Sequence, residues 1–214
     1  MLADEGPARD WLRTALACDD VTLERLEEFV ALLREENGRQ NLVSAASLDH
    51  VWLRHVVDSG QLIPVSRGTA GVWLDLGTGA GFPGLIVALL DSAREVVMVE
   101  SRARRIEWLQ SVVDRFALTN ARVVGGRLET VAEFKAGVIS ARAFAPLDRL
   151  VALAARFSTP QTQWLLPKGR NGAKELHDMP KSLQLMFHVE PSLTSSDSVI
   201  LVGRGCVSST KVRK

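Results

Sequence analysis

Beyond residue 70 the chain alternates short apolar runs with stretches of helical periodicity. The apolar runs are almost continuously hydrophobic, and they span 72–76, 95–100, 121–124, 137–143 and 163–167. Such continuity is typical of strands that are buried on both faces, as in parallel sheets. The helical stretches lie between them, at 83–91, 102–116, 146–157 and 171–183. This alternation of strand and helix predicts an α/β fold with a doubly wound parallel sheet.

The pattern changes towards the end of the chain. Residues 183–191 and 197–204 have the composition of two further strands, and they are joined through LTSSD. That connection is too short for a helical crossover, so the two strands are expected to form an antiparallel hairpin. Five parallel strands followed by such a hairpin are the layout of class I methyltransferases. We therefore expect a Rossmann-like, mostly parallel seven-stranded sheet with an antiparallel C-terminal hairpin.

The N-terminal part of the chain carries helical periodicity instead of strand patterns. Residues 21–38 place apolar side chains on one face of a helix, with Thr22 as the predicted N-cap. A second helix is predicted over residues 47–60. We expect residues 1–70 to form a helical cap on a Rossmann-like domain of residues 71–214, the two together making one compact unit.

Composition and charge bear on the cellular compartment of the protein and on the kind of partner that it binds. The start of the chain lacks an apolar signal core and the apolar runs are too short to span a bilayer, so a cytoplasmic protein without membrane contact is expected. The four histidines show no metal-ligand spacing, and no metal site is expected. Net charge is −5 over residues 1–70 and +6 over 71–214. The basic part could face a polyanion such as nucleic acid, although the charge alone favours an ordinary mixed surface.

The most distinctive stretch is DLGTGAGFPG, residues 75–84, in which four of ten residues are glycine. It joins a predicted strand to a predicted helix, where glycines let a ligand approach free backbone N–H groups. Read from Gly79, the stretch matches the NAD fingerprint GxGxxG, which leaves an oxidoreductase open. Read from Asp75, it has the form D-x-G-x-G-x-G that is typical of S-adenosylmethionine sites.

A second acidic residue supports a nucleoside ligand. Glu100 ends the second predicted strand, where a carboxylate can accept both hydrogen bonds of a ribose diol. NAD and S-adenosylmethionine share that ribose, so Glu100 does not discriminate between them. A dehydrogenase usually needs a further substrate domain, for which this chain has little room. The residues therefore favour a methyltransferase, with Asp75, Gly79 and Glu100 at the cofactor site.

Six stretches of the chain, taken together, have a specific order over about 130 residues: NLVSAASLDHVWLRHVVDS (41–59), DLGTGAGFPG (75–84), VESRARRIEWL (99–109), GRLETV (126–131), VISARAFAPL (138–147) and LLPKG (165–169). In this order they resemble the bacterial 16S rRNA guanine-N7 methyltransferases, the RsmG family, also called glucose-inhibited division protein B. The element Arg54-His55-x-x-Asp58-Ser59 is the most specific, because a generic methyltransferase does not carry it.

The resemblance implies S-adenosylmethionine as cofactor and 16S rRNA or the small ribosomal subunit as partner. The methylated base would be the guanine of the 530 loop, at position 527 in the usual rRNA numbering. The family's cofactor positions carry over to Gly77, Phe82, Leu128, Glu129 and Arg142. SARAF (140–144) has one alanine more than the family's usual SRAF, and Glu100 stands where aspartate is commoner.

The implied chemistry needs little from the protein. Guanine N7 has a lone pair and no proton to remove, so in-line methyl transfer requires alignment and no general base, and we name no catalytic residue. RNA contact is expected from Arg54, His55, Arg127 and Lys168. We expect a monomer. A small-molecule methyltransferase and a cofactor-binding interaction protein without turnover remain as alternatives.

Overall fold

A computed structural model describes residues 2 and 5–207 of the chain. Seven strands form one sheet: β1 Val72–Leu76, β2 Val96–Glu100, β3 Ala121–Gly125, β4 Ala136–Ala141, β5 Gln163–Lys168, β6 Phe187–Pro191 and β7 Val199–Arg204. Their order across the sheet is β3-β2-β1-β4-β5-β7-β6. Strands β1 to β5 pair in parallel, while β7 runs antiparallel to both β5 and β6. The predicted seven-stranded, mostly parallel sheet with a C-terminal hairpin is confirmed.

Ten α-helical segments surround the sheet in the described residues: α1 Glu5–Leu16, α2 Asp20–Gln40, α3 Ala45–Leu48, α4 Asp58–Gly60, α5 Leu62–Val65, α6 Gly84–Leu90, α7 Ala103–Arg115, α8 Leu147–Ala154, α9 Gly172–His177 and α10 Lys181–Gln184. A π-helical turn spans Trp52–Val57, and short 3₁₀ turns span Leu128–Thr130 and Ala155–Phe157. The first five helices precede β1 and lie within residues 1–70; they are called the cap below.

The start of α2 differs from the sequence prediction. The Oδ1 atom of Asp19 accepts a hydrogen bond from the backbone N–H of Thr22 at 2.8 Å, so Asp19 is the N-cap. Thr22 was wrongly predicted as N-cap because either residue type suits that position, and the aspartate lies earlier in the chain. The apolar face of the helix is as expected, with Leu23, Leu26 and Leu33 buried.

The single helix predicted over 47–60 was also wrong. The structure divides this segment into α3, the π-helical turn Trp52–Val57 and α4. The carboxylate of Glu5 on α1 accepts hydrogen bonds from the backbone N–H groups of Trp52 and Leu53, at 3.2 and 2.9 Å. These two donors therefore do not depend on a carbonyl of their own helix, and the turn can widen.

The core lies on both faces of the sheet. Neighbouring strand residues alternate between two clusters of buried side chains; Trp73 belongs to one and Leu74 to the other. The first cluster also contains Leu12 and Phe29 of the cap together with Leu109 of α7. The cap therefore packs into the same core as one face of the sheet.

The sheet topology defines where a ligand would bind. After β1 the chain proceeds to β2 and β3 on one side, whereas β4 and β5 lie on the other. In open α/β sheets the crevice at this switch point, outside the carboxyl ends of the strands, is the usual ligand site. Among the described helices none is long and apolar enough to cross a membrane. The described residues likewise contain no cluster of histidine, cysteine and acidic side chains that could hold a metal ion.

Candidate functional site

The glycine-rich loop lies at the switch point, between the end of β1 and the start of α6. Gly77, Gly79 and Gly81 have φ values of 63°, 62° and 112°, a region that favours glycine. A Cβ atom at Gly77 would overlap the ring of Phe144, whereas one at Gly79 would meet only the tip of Arg105 at 3.3 Å and a loop carbonyl. Gly77 is therefore needed for packing, and the space above Gly79 is nearly free.

Asp75 supports this loop from beneath. Its Oδ2 atom accepts a hydrogen bond from the backbone N–H of Gly84 at 3.0 Å, and its Oδ1 atom accepts one from the hydroxyl of Ser140 at 2.7 Å. The indole of Trp73 donates to the same serine at 2.8 Å. Complete burial raises the pKa of Asp75 to about 6, against the lowering effect of its hydrogen bonds. Both oxygens of this carboxylate thus hold the start of α6 and strand β4 in place.

Glu100 at the end of β2 is also bound to the loop. Its Oε2 atom accepts a hydrogen bond from the backbone N–H of Gly79 at 3.0 Å. Its Oε1 atom accepts from the N–H groups of Ser101 and Arg102, at 2.7 and 2.9 Å. The side chain of Glu100 is buried, and its carboxylate lies directly against the loop. Such a carboxylate can take up hydroxyl donors of a ligand in addition to backbone donors.

The remaining predicted cofactor residues on this side of the site lie in the loop itself and in the turn after β3. Phe82 is buried within the loop itself. Leu128 and Glu129 lie in the 3₁₀ turn after β3, where Leu128 is buried and Glu129 is exposed. Arg127 precedes the same turn and is exposed. The turn therefore presents backbone groups and polar side chains at the carboxyl edge of the sheet, on the β3 side of the switch point.

Arg142, the residue after β4, connects the sheet to the cap. Its Nη2 atom donates to Nδ1 of His55 at 2.9 Å, and its Nη1 atom donates to Oδ2 of Asp58 at 3.3 Å and to the carbonyl of Arg54 at 3.1 Å. Burial lowers the pKa of Arg142, while the nearby carboxylate of Asp58 acts in the opposite direction. Three residues of the Arg-His-x-x-Asp-Ser element thus bind a single guanidinium group.

His55 is held on all sides. Its ring stacks on Phe82 with centroids 4.6 Å apart and planes 16° apart. Because Arg142 donates to Nδ1, the ring proton lies on Nε2, which is 3.0 Å from the hydroxyl of Ser47. Burial, followed by the charges of Arg142 and Arg54, lowers the pKa of His55 to about 3. The imidazole is therefore neutral and is fixed in one tautomer.

The hairpin loop between β6 and β7 completes this polar cluster. The hydroxyl of Thr194 donates to Oδ1 of Asp58 at 2.7 Å. Gln61 forms two hydrogen bonds with the same loop. Its Nε2 atom donates to the hydroxyl of Ser192 at 3.2 Å, and its Oε1 atom accepts from the backbone N–H of Leu193 at 2.8 Å. Asp58 thus joins the cap, β4 and the hairpin at one point.

Beside the glycine loop, a cleft of about 970 Å³ opens between the cap and the ends of β4 and β5. Its lining includes Arg54, His55, Arg142, Phe144, Lys168 and Lys174. Lys168, at the end of β5, donates to Oε2 of Glu175 at 2.8 Å and is mostly buried. Arg54 and Lys174 are exposed, and neither forms an ion pair within the part of the chain that the structure describes.

The structure places the predicted site residues at several points along the carboxyl edge of the sheet. Of those expected to bind the cofactor, five lie in the glycine loop or bind to it, Leu128 and Glu129 lie in the turn after β3, and Arg142 lines the cleft. Three of the four expected RNA contacts line the cleft, whereas Arg127 lies on the β3 side. Asp58 and Phe144 also belong to this part of the site; both lie inside the motifs R-H-x-x-D-S and S-A-R-A-F, from which the sequence alone predicts no role for them.

Solved structures share the fold at low sequence identity. A mutant of MtNAS in complex with S-adenosylmethionine superposes with a TM-score of 0.54 at 16% identity, covering 94% of this chain and 84% of that one. A SAM-dependent methyltransferase from Aquifex aeolicus gives a TM-score of 0.53 at 12% identity, over 77% of this chain and 95% of the other. These likenesses establish a Rossmann-like class I fold.

Sequence relatives are much closer. The ribosomal RNA small subunit methyltransferase G of Novosphingobium aromaticivorans is 54% identical over 95% of this chain and 89% of its own length. The protein of the same name from Erythrobacter litoralis is 54% identical over 96% of this chain and 98% of its length. The family model GidB, described as rRNA small subunit methyltransferase G, matches residues 22–199. The chain therefore belongs to the GidB family of rRNA small subunit methyltransferases.

Proposed function

We propose that this protein transfers the methyl group of S-adenosylmethionine to N7 of a guanine in 16S rRNA, the guanine of the 530 loop at position 527. The observation that carries the proposal is the glycine loop at the switch point, beside the buried carboxylate of Glu100, in a chain of the GidB family. The enzyme would act in the cytoplasm as a monomer, on the RNA or on the small subunit.

The residues around the loop fit S-adenosylmethionine. The nearly free space above Gly79 accommodates a ligand against backbone N–H groups, and the buried charge of Glu100 suits a ribose diol. The turn at Leu128 and Glu129 would face the adenine. Phe82 and Asp75 would act through the loop, Phe82 by packing against His55 and Asp75 by holding the start of α6.

The chemical step needs no acid or base group of the protein. When bound, the cofactor supplies a methyl group that its sulfonium already activates. Since guanine N7 has no proton, no side chain has to act as a base. His55 fits this expectation, because its pKa of about 3 and its two hydrogen bonds assign it to holding Arg142. The chain would bind, orient and desolvate the two reactants.

The cleft beside the loop is the proposed place for the RNA. Arg54 from the cap and Lys174 from α9 are exposed at its lining and are not ion-paired within the described residues. Exposed unpaired cations favour phosphate contacts, which supply most of the affinity for nucleic acid. Lys168 is held by Glu175, so its ammonium group would be shared between that carboxylate and the RNA.

The test is incubation of the purified protein with labelled S-adenosylmethionine and small ribosomal subunits, followed by cleavage at N7-methylguanine. We expect label at one guanine of 16S rRNA, and loss of labelling in Gly79→Val, because a β-branched residue resists φ of 62° and its methyl groups enter the ligand space. Gly38→Ala is the matched control, since nothing lies within 4 Å of its added Cβ. Label in a small molecule, or none in RNA, would contradict the proposal.

A further inference from the structure

Phe144 occupies the boundary between the glycine loop and the cleft. Its ring packs directly over Gly77, where any Cβ atom would overlap it, and the same side chain lines the cleft. The ring is half-buried, so one part contacts the core around the sheet and another part faces the open space. Phe144 therefore contacts the glycine loop and lines the cleft at the same time.

The backbone on both sides is shaped to permit this position. Ala143, immediately before the ring, has φ of 51°, in the left-handed region that non-glycine residues rarely adopt. Gly77 has φ of 63° and leaves the room that the ring occupies. An unfavourable conformation at the end of β4 and a required glycine at the end of β1 thus place one aromatic side chain. Such local strain is characteristic of functional positions.

Phe144 is also the aromatic group available to a ligand in the cleft. Among the residues that line it in the described structure, only His55 and Phe144 carry aromatic rings. The ring of His55 already stacks on Phe82, and both of its nitrogen atoms have hydrogen-bond partners. Enzymes that modify a base take it out of its stack and hold it against an aromatic or apolar side chain.

We propose that Phe144 is the stacking plane for the target guanine, an inference that rests on the proposed function. The N7 lone pair forms the new carbon–nitrogen bond while the carbon–sulfur bond breaks, and its electron pair remains on sulfur as a neutral thioether. No proton leaves, so the positive charge passes to the purine ring. An aromatic face attracts a cation that lies above it, and Phe144 therefore both positions the base and favours the charge that develops on it.

The test compares Phe144→Leu with the conservative variant Phe144→Trp. In single turnovers on small subunits with saturating cofactor, Phe144→Leu is expected to slow methyl transfer roughly 10- to 100-fold, the range for loss of one stacked base. Phe144→Trp should stay within about threefold of the wild-type rate, since it keeps an aromatic plane. Calorimetry with S-adenosylhomocysteine should give affinities within about twofold for all three proteins, which separates stacking from support of the loop.

A binding experiment tests separately whether Phe144 favours the positive charge on the methylated base. Two 16S rRNA fragments with guanine or 7-methylguanine at the target position are titrated onto each protein in complex with S-adenosylhomocysteine. The wild type should prefer the cationic base, and Phe144→Leu should lose that preference. Wild-type rates or an unchanged preference in Phe144→Leu would overturn the inference, as would an equal loss of cofactor affinity. If the wild type itself places no label in 16S rRNA, the proposed function fails and the stacking role falls with it.

Discussion

The buried imidazole of His55 makes an acid-sensitive contribution to the stability of the protein. In the unfolded chain a histidine has a pKa of about 6.5, whereas burial and the charges of Arg142 and Arg54 lower the folded value to about 3. Between these two pKa values the unfolded state therefore binds a proton at His55, whereas the folded state does not. The stabilising contribution is present above about pH 6.5 and is lost as the pH falls towards 3.

The magnitude follows from proton linkage. Between about pH 7.5 and pH 5, one histidine with these two pKa values reduces the free energy of unfolding by about 2 kcal/mol. Any folded pKa below about 4 gives nearly the same loss, because the unfolded pKa then sets the integral. His55 is 6% exposed, so the charged form gains little from solvent.

The perturbation is His55→Asn, which keeps an acceptor near the position of Nδ1 for Arg142 and cannot be protonated. We expect the variant to be less stable than the wild type at about pH 7.5, because the stack on Phe82 is lost. That difference should shrink by about 2 kcal/mol when urea unfolding is repeated at about pH 5. His188→Asn, which removes an exposed imidazole on β6, is the matched control. Parallel pH profiles for wild type and His55→Asn would refute the reasoning.

Three further outcomes are expected. Gly77→Ala should lose cofactor affinity and about 1–3 kcal/mol of stability, because its added methyl group overlaps the ring of Phe144 at a residue with positive φ. Gly38→Ala, on an exposed helix face, should gain about 0.5–1 kcal/mol of stability. Thermal unfolding measures the stabilities and calorimetry measures the cofactor affinity. Glu100→Gln should weaken S-adenosylhomocysteine by about 1–3 kcal/mol in calorimetry, since a neutral amide is the poorer acceptor for a diol, and an unchanged affinity would remove Glu100 from the ribose. Lys168→Met should leave cofactor affinity within about twofold and reduce transfer to rRNA, flattening its salt dependence by about one unit of slope or less, whereas Glu175→Gln keeps the lysine; a lost cofactor affinity in Lys168→Met would contradict this assignment.

The sheet was predictable because its signals are local. Strands buried on both faces have continuous apolar runs, and β1, β2 and β5 lie within one residue of the predicted bounds. The hairpin followed from a connection too short for a helix. The glycine loop and Glu100 were recognisable because their chemistry restricts the residue type at each position.

The parts that were not predictable depend on contacts between distant segments. The π-helical turn at Trp52–Val57 depends on a carboxylate from α1, some 47 residues away in sequence. The partners of Arg142 come from 84 to 88 residues earlier in the chain. The resemblance to the family marks Arg54, His55 and Asp58 as parts of one motif, and only the fold shows that they bind one guanidinium group.

The position of β7 has a consequence for synthesis. This strand is the last of the sheet to leave the ribosome, yet it lies between β5 and β6 and supplies the antiparallel partner of both. Until Val199–Arg204 has emerged, β6 lacks its partner strand and the edge of β5 is open. The loop that carries Thr194 is then not held where its hydroxyl donates to Asp58. A nascent chain halted before this strand would hold every residue of the glycine loop without a finished cleft. The cleft therefore depends on the strand of the sheet that is translated last, because β7 supplies the partner for both β5 and β6.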